Sequence, residues 1–326
     1  MPPTIFSAMS SSKKFVYQPL VYWPYGIPTI LSPEISVRSV PHIPDETDSF
    51  VRYSLSGYEL KTLKASPAWL CCEFADVGVN GTVRQQRAAE LVKNTQLAVQ
   101  IVTKTGLWVG TVLIFQERES EMNIIHAENK PPMQSTVWAR MCGSQQSSLN
   151  EMKCVVRGVH AAFNHNVTRL VNPLYFLELG MEATNLHMQI FLWVTGLDSL
   201  LMAGNVRLFV EHMNNFLDGD SFVFPHLYGF GQPKYLVRDV AEDLYELRSI
   251  IAHGRQIPSK FREAVGFEDT NGHPIDGYEP SNQYRQVLLE SAFLLLVRAL
   301  KTVFVEDLSN VVSKTNVWRQ RLSISF

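Results

Sequence analysis

The helix that the apolar spacing predicts from Leu174 to Ala203 is apolar almost all round in its second half. Leu186, Ile190, Phe191, Leu192, Trp193, Val194, Leu197, Leu200 and Leu201 fall on nearly every side of a helical wheel. Such a helix is stable in water only when other elements surround it, so it demands a central place in a helical bundle or at an interface. Asp198 is the exception. A carboxylate among apolar neighbours is costly unless it is paired, and Arg248 is the expected partner. A position at the rim, facing water, is the alternative.

The chain supplies the surrounding elements. After Asn172-Pro173 the apolar spacing predicts helices alone: Leu174 to Ala203, Val206 to Leu217, Tyr235 to Ala252, Tyr284 to Val305, and a short one to about Val312. Gaps such as LDGDS and GFGQP hold the glycine, proline and aspartate that interrupt helices. Four or five helices with short connections imply an up-and-down bundle.

The first half reads differently. From Met1 to about Thr47 it is rich in proline and aromatics, which favours short strands and turns over helices and suggests extended chain draped over a core. The segment Val83 to Val102 has helical spacing through Ala88, Leu91, Val92, Thr95, Val99 and Val102. GLWVGTVLIF (Gly106 to Phe115) is rich in β-branched and aromatic residues and predicts a strand. The polar segment Gln116 to Pro132 predicts a loop. Ser148 followed by Glu151 makes a capping box for a helix to about Asn164. The fold class is therefore α+β: a mixed N-terminal domain over 1–172, a helical bundle over 173–312 and a C-terminal tail over 313–326.

Composition narrows the function. In 326 residues the formal charge is -2 at pH 7, with 46% hydrophobic and 18% charged residues, as in an ordinary globular protein. A pI near 6.5 argues against coating nucleic acid by bulk electrostatics, so any such site must be local. Six basic against four acidic residues between Lys234 and Arg262 fit a pocket and not a track. Cys71, Cys72, Cys142 and Cys154 show no metal spacing and read as buried reduced thiols. The N-terminus MPPTIFSAMSSSKK does not read as a secretory signal, and a reducing cytoplasm is expected. The apolar runs Ile190 to Met202 and Val287 to Val297 are each interrupted by a carboxylate and fall short of about 18 residues, so no membrane insertion is expected.

The chemistry-bearing stretch is LYELRSIIAHG, Leu244 to Gly254. Arginine offers a fixed fork of donors that matches a phosphate, and histidine is the side chain type whose charge changes near neutral pH. Five residues along a helix turn the side chain by about 500°, so Arg248 and His253 stand roughly 140° apart. Ser249 shares a face with His253, and Gly254 is a favoured residue just past a helix C-terminus. Convergence on one phosphate then needs a long arginine reaching round, or a second copy of the helix. The second option implies a symmetric dimer with its site on the two-fold axis.

LYELRSIIAHG, preceded by FLWVTGLDSLLM (Phe191 to Met202) and RLFVEHMNNFL (Arg207 to Leu217), resembles the Apea-like branch of the HEPN superfamily over roughly Pro173 to Val312. The resemblance implies a helical bundle that commonly dimerises and, in catalytic members, cleaves RNA without metal. Arg248 and His253 fill its arginine, four residues, histidine motif. Ser249 stands where active members often carry Asn, Asp or His, and Asp198 stands where glutamate is more common. Domains of this kind resemble those of prokaryotic toxin and phage-defence systems.

The implied reaction is attack of a ribose 2′-hydroxyl on the adjacent phosphorus, with His253 as base or acid and Arg248 as the clamp on the phosphoryl oxygens. It needs no metal or other cofactor and cannot act on DNA, which lacks the nucleophile. RNA and a second copy of the chain are the expected partners. Each residue also has a plain alternative. A histidine in a last helical turn gains about 0.3–1 kcal/mol from the helix dipole without catalytic duty. Arg248 can serve as a bundle-edge arginine paired with Glu246 or Asp198. The bundle is then a non-enzymatic dimerising module with a ligand- or partner-sensing first half.

Other candidates are weaker. His160 and His165 are five apart with Cys154 upstream, whereas zinc ligation on one helical face wants three or four. GFGQP (Gly229 to Pro233) lacks the strand that precedes a phosphate loop. Tyr228 and Phe230 could stack on a base, although core packing is the simpler role.

Overall fold

The computed structural model describes residues 13–20, 23–39, 43, 57–75, 81–104, 112–118, 121–128, 147–224, 235–263 and 284–323. The chain divides into two compact units, Met1–Gln96 with Trp108–Pro132, and Leu97–Leu107 with Met133–Phe326. The architecture is α+β, with antiparallel strands in the first unit and a helical bundle in the second.

The elements of the first unit run β1 (Lys13–Leu20), β2 (Thr29–Ile30), β3 (Ile35–Arg38), α1 (Gly57–Ala65), β4 (Ala68–Ala75), α2 (Gly81–Thr103), β5 (Val112–Arg118) and β6 (Glu121–Glu128), with the last turns of α2 counted in the second unit. The sheet order is β2-β3-β4-β1-β5-β6, and every pair is antiparallel. Far from being draped over a core, Lys13–Leu20 is the middle of the sheet. Its apolar residues alternate to both faces: Phe15 and Tyr17 to one, Val16 and Leu20 to the other, and all four are buried. On the first face Trp69 and Cys71 of β4, Leu113 of β5, Leu60 and Leu63 of α1, and Ile43 complete one cluster.

Two further expectations are corrected here. The segment Gln116 to Pro132 is not all loop, because β5 runs on to Arg118 and pairs with β6. A ladder is made by backbone groups, so the polar composition of EMNIIHAE does not prevent it. The strand expected over Gly106 to Phe115 is present from Val112; residues 106–111 lie outside the described residues. Cys71 and Cys72, adjacent on β4, point to opposite faces and are both free and buried. Burial, then the neighbouring Cys71, pushes the Cys72 thiol up to about 12, and burial raises Cys71 as well. These thiols stay protonated at neutral pH. Cys142 lies outside the described residues.

The second unit holds α3 (Leu149–Asn164), α4 (Thr168–Glu182), α5 (Leu186–Leu201), α6 (Val206–Leu217), α7 (Val237–Ala252), α8 (Tyr284–Val305), α9 (Ser309–Ser313) and α10 (Thr315–Leu322). The capping box at Ser148 and Glu151 starts α3 as its sequence requires. The single helix expected from Leu174 to Ala203 is two. Asn185 breaks it, its side-chain oxygen accepting from the N–H groups of His187 and Met188 to start α5. The helical unit also begins well before Pro173. That proline sits inside α4, where one missing N–H is tolerated, so 172/173 is not where the compact units divide.

Helix α5 takes the central place its composition demands, touching α4, α6, α7 and α8. Ile190, Trp193, Val194, Leu197, Leu200 and Leu201 are fully buried. Trp193 packs at a tilt against Phe293 of α8, ring centroids 5.3 Å apart, and donates to the Leu177 carbonyl at 3.2 Å. A Cβ at Gly180 would stand 2.2 Å from Trp193 Nε1, so only glycine allows α4 this close. Among the described residues no single helix is long and apolar enough to cross a membrane.

The tail expected over 313–326 is largely α10. Its Trp318 is completely buried and donates to the Leu200 carbonyl at 2.7 Å, while Phe216 meets its ring at 5.1 Å. Trp318→Ala is expected to destabilise the helical unit by about 3–5 kcal/mol, and Trp318→Phe, which keeps one ring but loses the indole N–H and leaves a smaller cavity, by less. Urea unfolding of both variants measures this; a dispensable tail would leave the midpoint unchanged in both.

Candidate functional site

Helix α7 carries the arginine and histidine. Val237, Val240, Ala241, Leu244, Leu247 and Ile250 recur at helical spacing and form its buried face. At its start the Asp239 carboxylate accepts from the Leu236 N–H at 3.1 Å. At its end His253 is the C-cap, with its N–H donating to the Ser249 carbonyl. Gly254 follows at φ 61°, the left-handed conformation expected of that glycine.

Arg248 and Asp198 do meet. A guanidinium nitrogen lies 3.6 Å from Asp198 Oδ2, with only 23% of the arginine and 14% of the aspartate side chain exposed. The other aspartate oxygen accepts from the Gly204 N–H at 3.0 Å, so the carboxylate is held from two directions. The guanidinium also lies over two rings, 5.8 Å from the centroid of Phe191 and 5.5 Å from that of Tyr245. Its Nε is buried and has no hydrogen-bond partner among the described residues. Burial, then the Asp198 charge, raises the pKa of the Tyr245 hydroxyl.

His253 is differently placed. It is exposed at the helix end, while Ser249, one turn earlier, is half-buried. The helix geometry keeps it about 140° round the axis from Arg248, as the spacing requires. The cavities of 540, 530 and 720 Å³ found in the helical unit are lined by other residues than these two. The segment after His253 is pinned back onto α7. Lys260 binds Asp243 at 2.9 Å and Glu246 at 2.6 Å, Tyr284 donates to Asp243 at 2.8 Å, and Phe261 stacks on Tyr284. Glu246, one expected partner of Arg248, is thus engaged by Lys260.

Sequence reasoning missed a second cationic group beside this one. His187, Phe191 and Asp198 lie within about 60° of one another on α5, so they form one stripe. At the His187 end, Arg285 of α8 approaches the imidazole Nε2 to 3.4 Å. Burial, then Arg285 and Arg262, holds His187 below its usual pKa. Residues 98 positions apart gave no motif; the one signal was the i, i+4 relation of His187 to Phe191.

The weaker candidates gain nothing. His160 is buried and His165 exposed, and among the described residues no group of three or more His, Cys, Asp or Glu side chains is placed to hold a metal ion. Cys154 instead lies 3.6 Å from Arg157. Tyr228, Phe230 and GFGQP fall outside the described residues. Comparison of the chain with models of protein families, with curated proteins and with solved structures finds no match in any of the three.

The Asp198 pair lends itself to a double-mutant cycle. Asp198→Ala is expected to cost about 1–3 kcal/mol, because it strips the counter-charge from Arg248 and the acceptor from Gly204. Arg248→Met should then cost at least about 0.5 kcal/mol less in the Asp198→Ala background than in the wild type. Purely additive losses in chemical denaturation would mean that the two groups do not interact.

Proposed function

We propose that the helical unit is a HEPN-type RNA-binding bundle that cleaves RNA without metal, with Arg248 and His253 as its catalytic pair and Ser249 and Asp198 in support. The observation that carries this reading is the seat of Arg248. Asp198 and the faces of Phe191 and Tyr245 hold its guanidinium on one flank of α7, five residues before an exposed histidine. A guanidinium fixed this way loses little freedom when it binds a phosphate, which favours its use as a clamp. An exposed imidazole at a helix C-terminus is free to exchange protons with a substrate hydroxyl.

In this reading the roughly 140° between the two side chains is met by a second copy of the chain, so that each phosphate sees Arg248 of one protomer and His253 of its partner. Arg262 and Arg285, beside the His187 end of the α5 stripe, add positive charge from which a bound strand's phosphates gain without the protein as a whole being basic. A role in toxin-like or phage-defence responses would follow by analogy alone.

One observation favours a second reading, a non-enzymatic dimerising module. Arg248 already has a counter-charge and two stacking partners within the bundle, as a purely structural arginine would. RNA incubated with the full chain in excess chelator separates the two. The first reading predicts cleavage that leaves 2′,3′-cyclic phosphate ends and falls by about 100-fold or more in His253→Ala and in Arg248→Ala. No cleavage, or cleavage that survives both substitutions, would leave the interaction module as the remaining account.

A further inference from the structure

Away from α7, a cavity of 530 Å³ lies between the end of α2, the start of α3 and one face of α8. Three cations line it. Arg298 and Lys301 stand one turn apart on α8, and Lys104 follows the last residue of α2. Their neighbours do not neutralise them equally. Lys301 binds the Ser147 hydroxyl at 2.9 Å and the Glu151 carboxylate at 3.4 Å. The side chains of Lys104 and Arg298 make no hydrogen bond or ion pair among the described residues, and Asp218 acts on Arg298 only from a distance. The remaining carboxylate of the lining, Glu306, is exposed to solvent, where water and salt screen it.

We infer that this cavity is a binding site for a small organic phosphate, whose dianionic group sits between Lys104 and Arg298 and whose remainder lies on the apolar wall made by Phe222 and Leu294. Two partly buried cations in one cavity repel each other and lose hydration, so the arrangement costs stability in the free protein. The cost is visible in both groups. Burial lowers the Lys104 pKa and the nearby Lys301 and Arg298 lower it further, while burial lowers that of Arg298. A dianion offsets both effects, because its charge attracts the two cations and its oxygens accept the hydrogen bonds that lost water would have accepted. A phosphate suits that count better than a carboxylate. A cavity several times larger than the ion, lined on one side by apolar residues, suits an organic phosphate better than the inorganic one.

The site shares no residue with α7, so its test is independent of the RNA reading. Thermal unfolding of the full chain is followed in inorganic phosphate, phenyl phosphate and phenol, with sodium chloride holding ionic strength constant. Phosphate should raise the Tm by at least about 2 °C at saturating levels. Phenyl phosphate should act at lower concentration, and phenol should not act. Lys104→Met and Arg298→Met should each abolish these shifts, and Lys104→Met should melt no lower than the wild type without ligand. If Arg298→Met gives no cooperative melt, Lys104→Met and Lys104→Gln decide the matter. Absence of a phosphate-dependent rise in the wild type, or a rise undiminished in the Lys104 variants, overturns the assignment.

Discussion

The helical unit is organised around the burial of α5 from Gln189 to its C-terminus, which exposes a problem at its last turn. Helix termini leave carbonyls without intrahelical donors, and here water has little access to supply them. Two side chains and a tight backbone turn meet the need. Trp318 donates to the Leu200 carbonyl, and His212 Nδ1 lies 2.7 Å from that of Leu201. The Met202 and Ala203 N–H groups reach back to the Asp198 carbonyl, and the Asp198 carboxylate takes the Gly204 N–H. One chain reversal therefore fixes α6 and α10 against α5. It also orients the carboxylate that faces Arg248.

The broad division into a strand-bearing part and a helical part was legible because it rests on periodicity. The boundaries of α6 and α8 follow directly from runs in which Phe209 and Met213, or Leu288, Ala292 and Leu295, return at helical spacing to a buried face. A single local signal is a poor guide where the surrounding core decides the outcome. Pro173 looked like a boundary, but a helix already held by Leu170, Leu174 and Leu177 in the core absorbs one lost hydrogen bond. Asn185 is inconspicuous inside a long apolar pattern, although its short amide oxygen is well suited to start a helix. Residues 315–322 are polar on average, and the single buried tryptophan that docks them carries too little periodicity to reveal a helix.

The site divides along similar lines. The pairing of Asp198 with Arg248 could be anticipated, since a carboxylate on an apolar helix needs a cation. The aromatic seat could not, because Phe191 looks like any other core residue and Tyr245 like a surface tyrosine until α5 and α7 are packed together. The same holds for His187 with Arg285, and for Lys104 with Arg298 and Lys301. Each set joins residues distant in sequence, and its chemistry arises only from their juxtaposition. Seat and cavity differ in electrostatic character. Arg248 is compensated within the bundle, whereas Lys104 and Arg298 are not.

The claim that one phosphate is served by Arg248 and His253 from different protomers is tested most directly by mixing two inactive variants. Arg248→Ala and His253→Ala chains, unfolded together and refolded as a mixture, should recover up to about a quarter of wild-type RNA cleavage. Half of the dimers are then mixed, and each mixed dimer holds one intact site. No recovery at any mixing ratio, with mixed dimers present and the wild type active, would contradict the shared site.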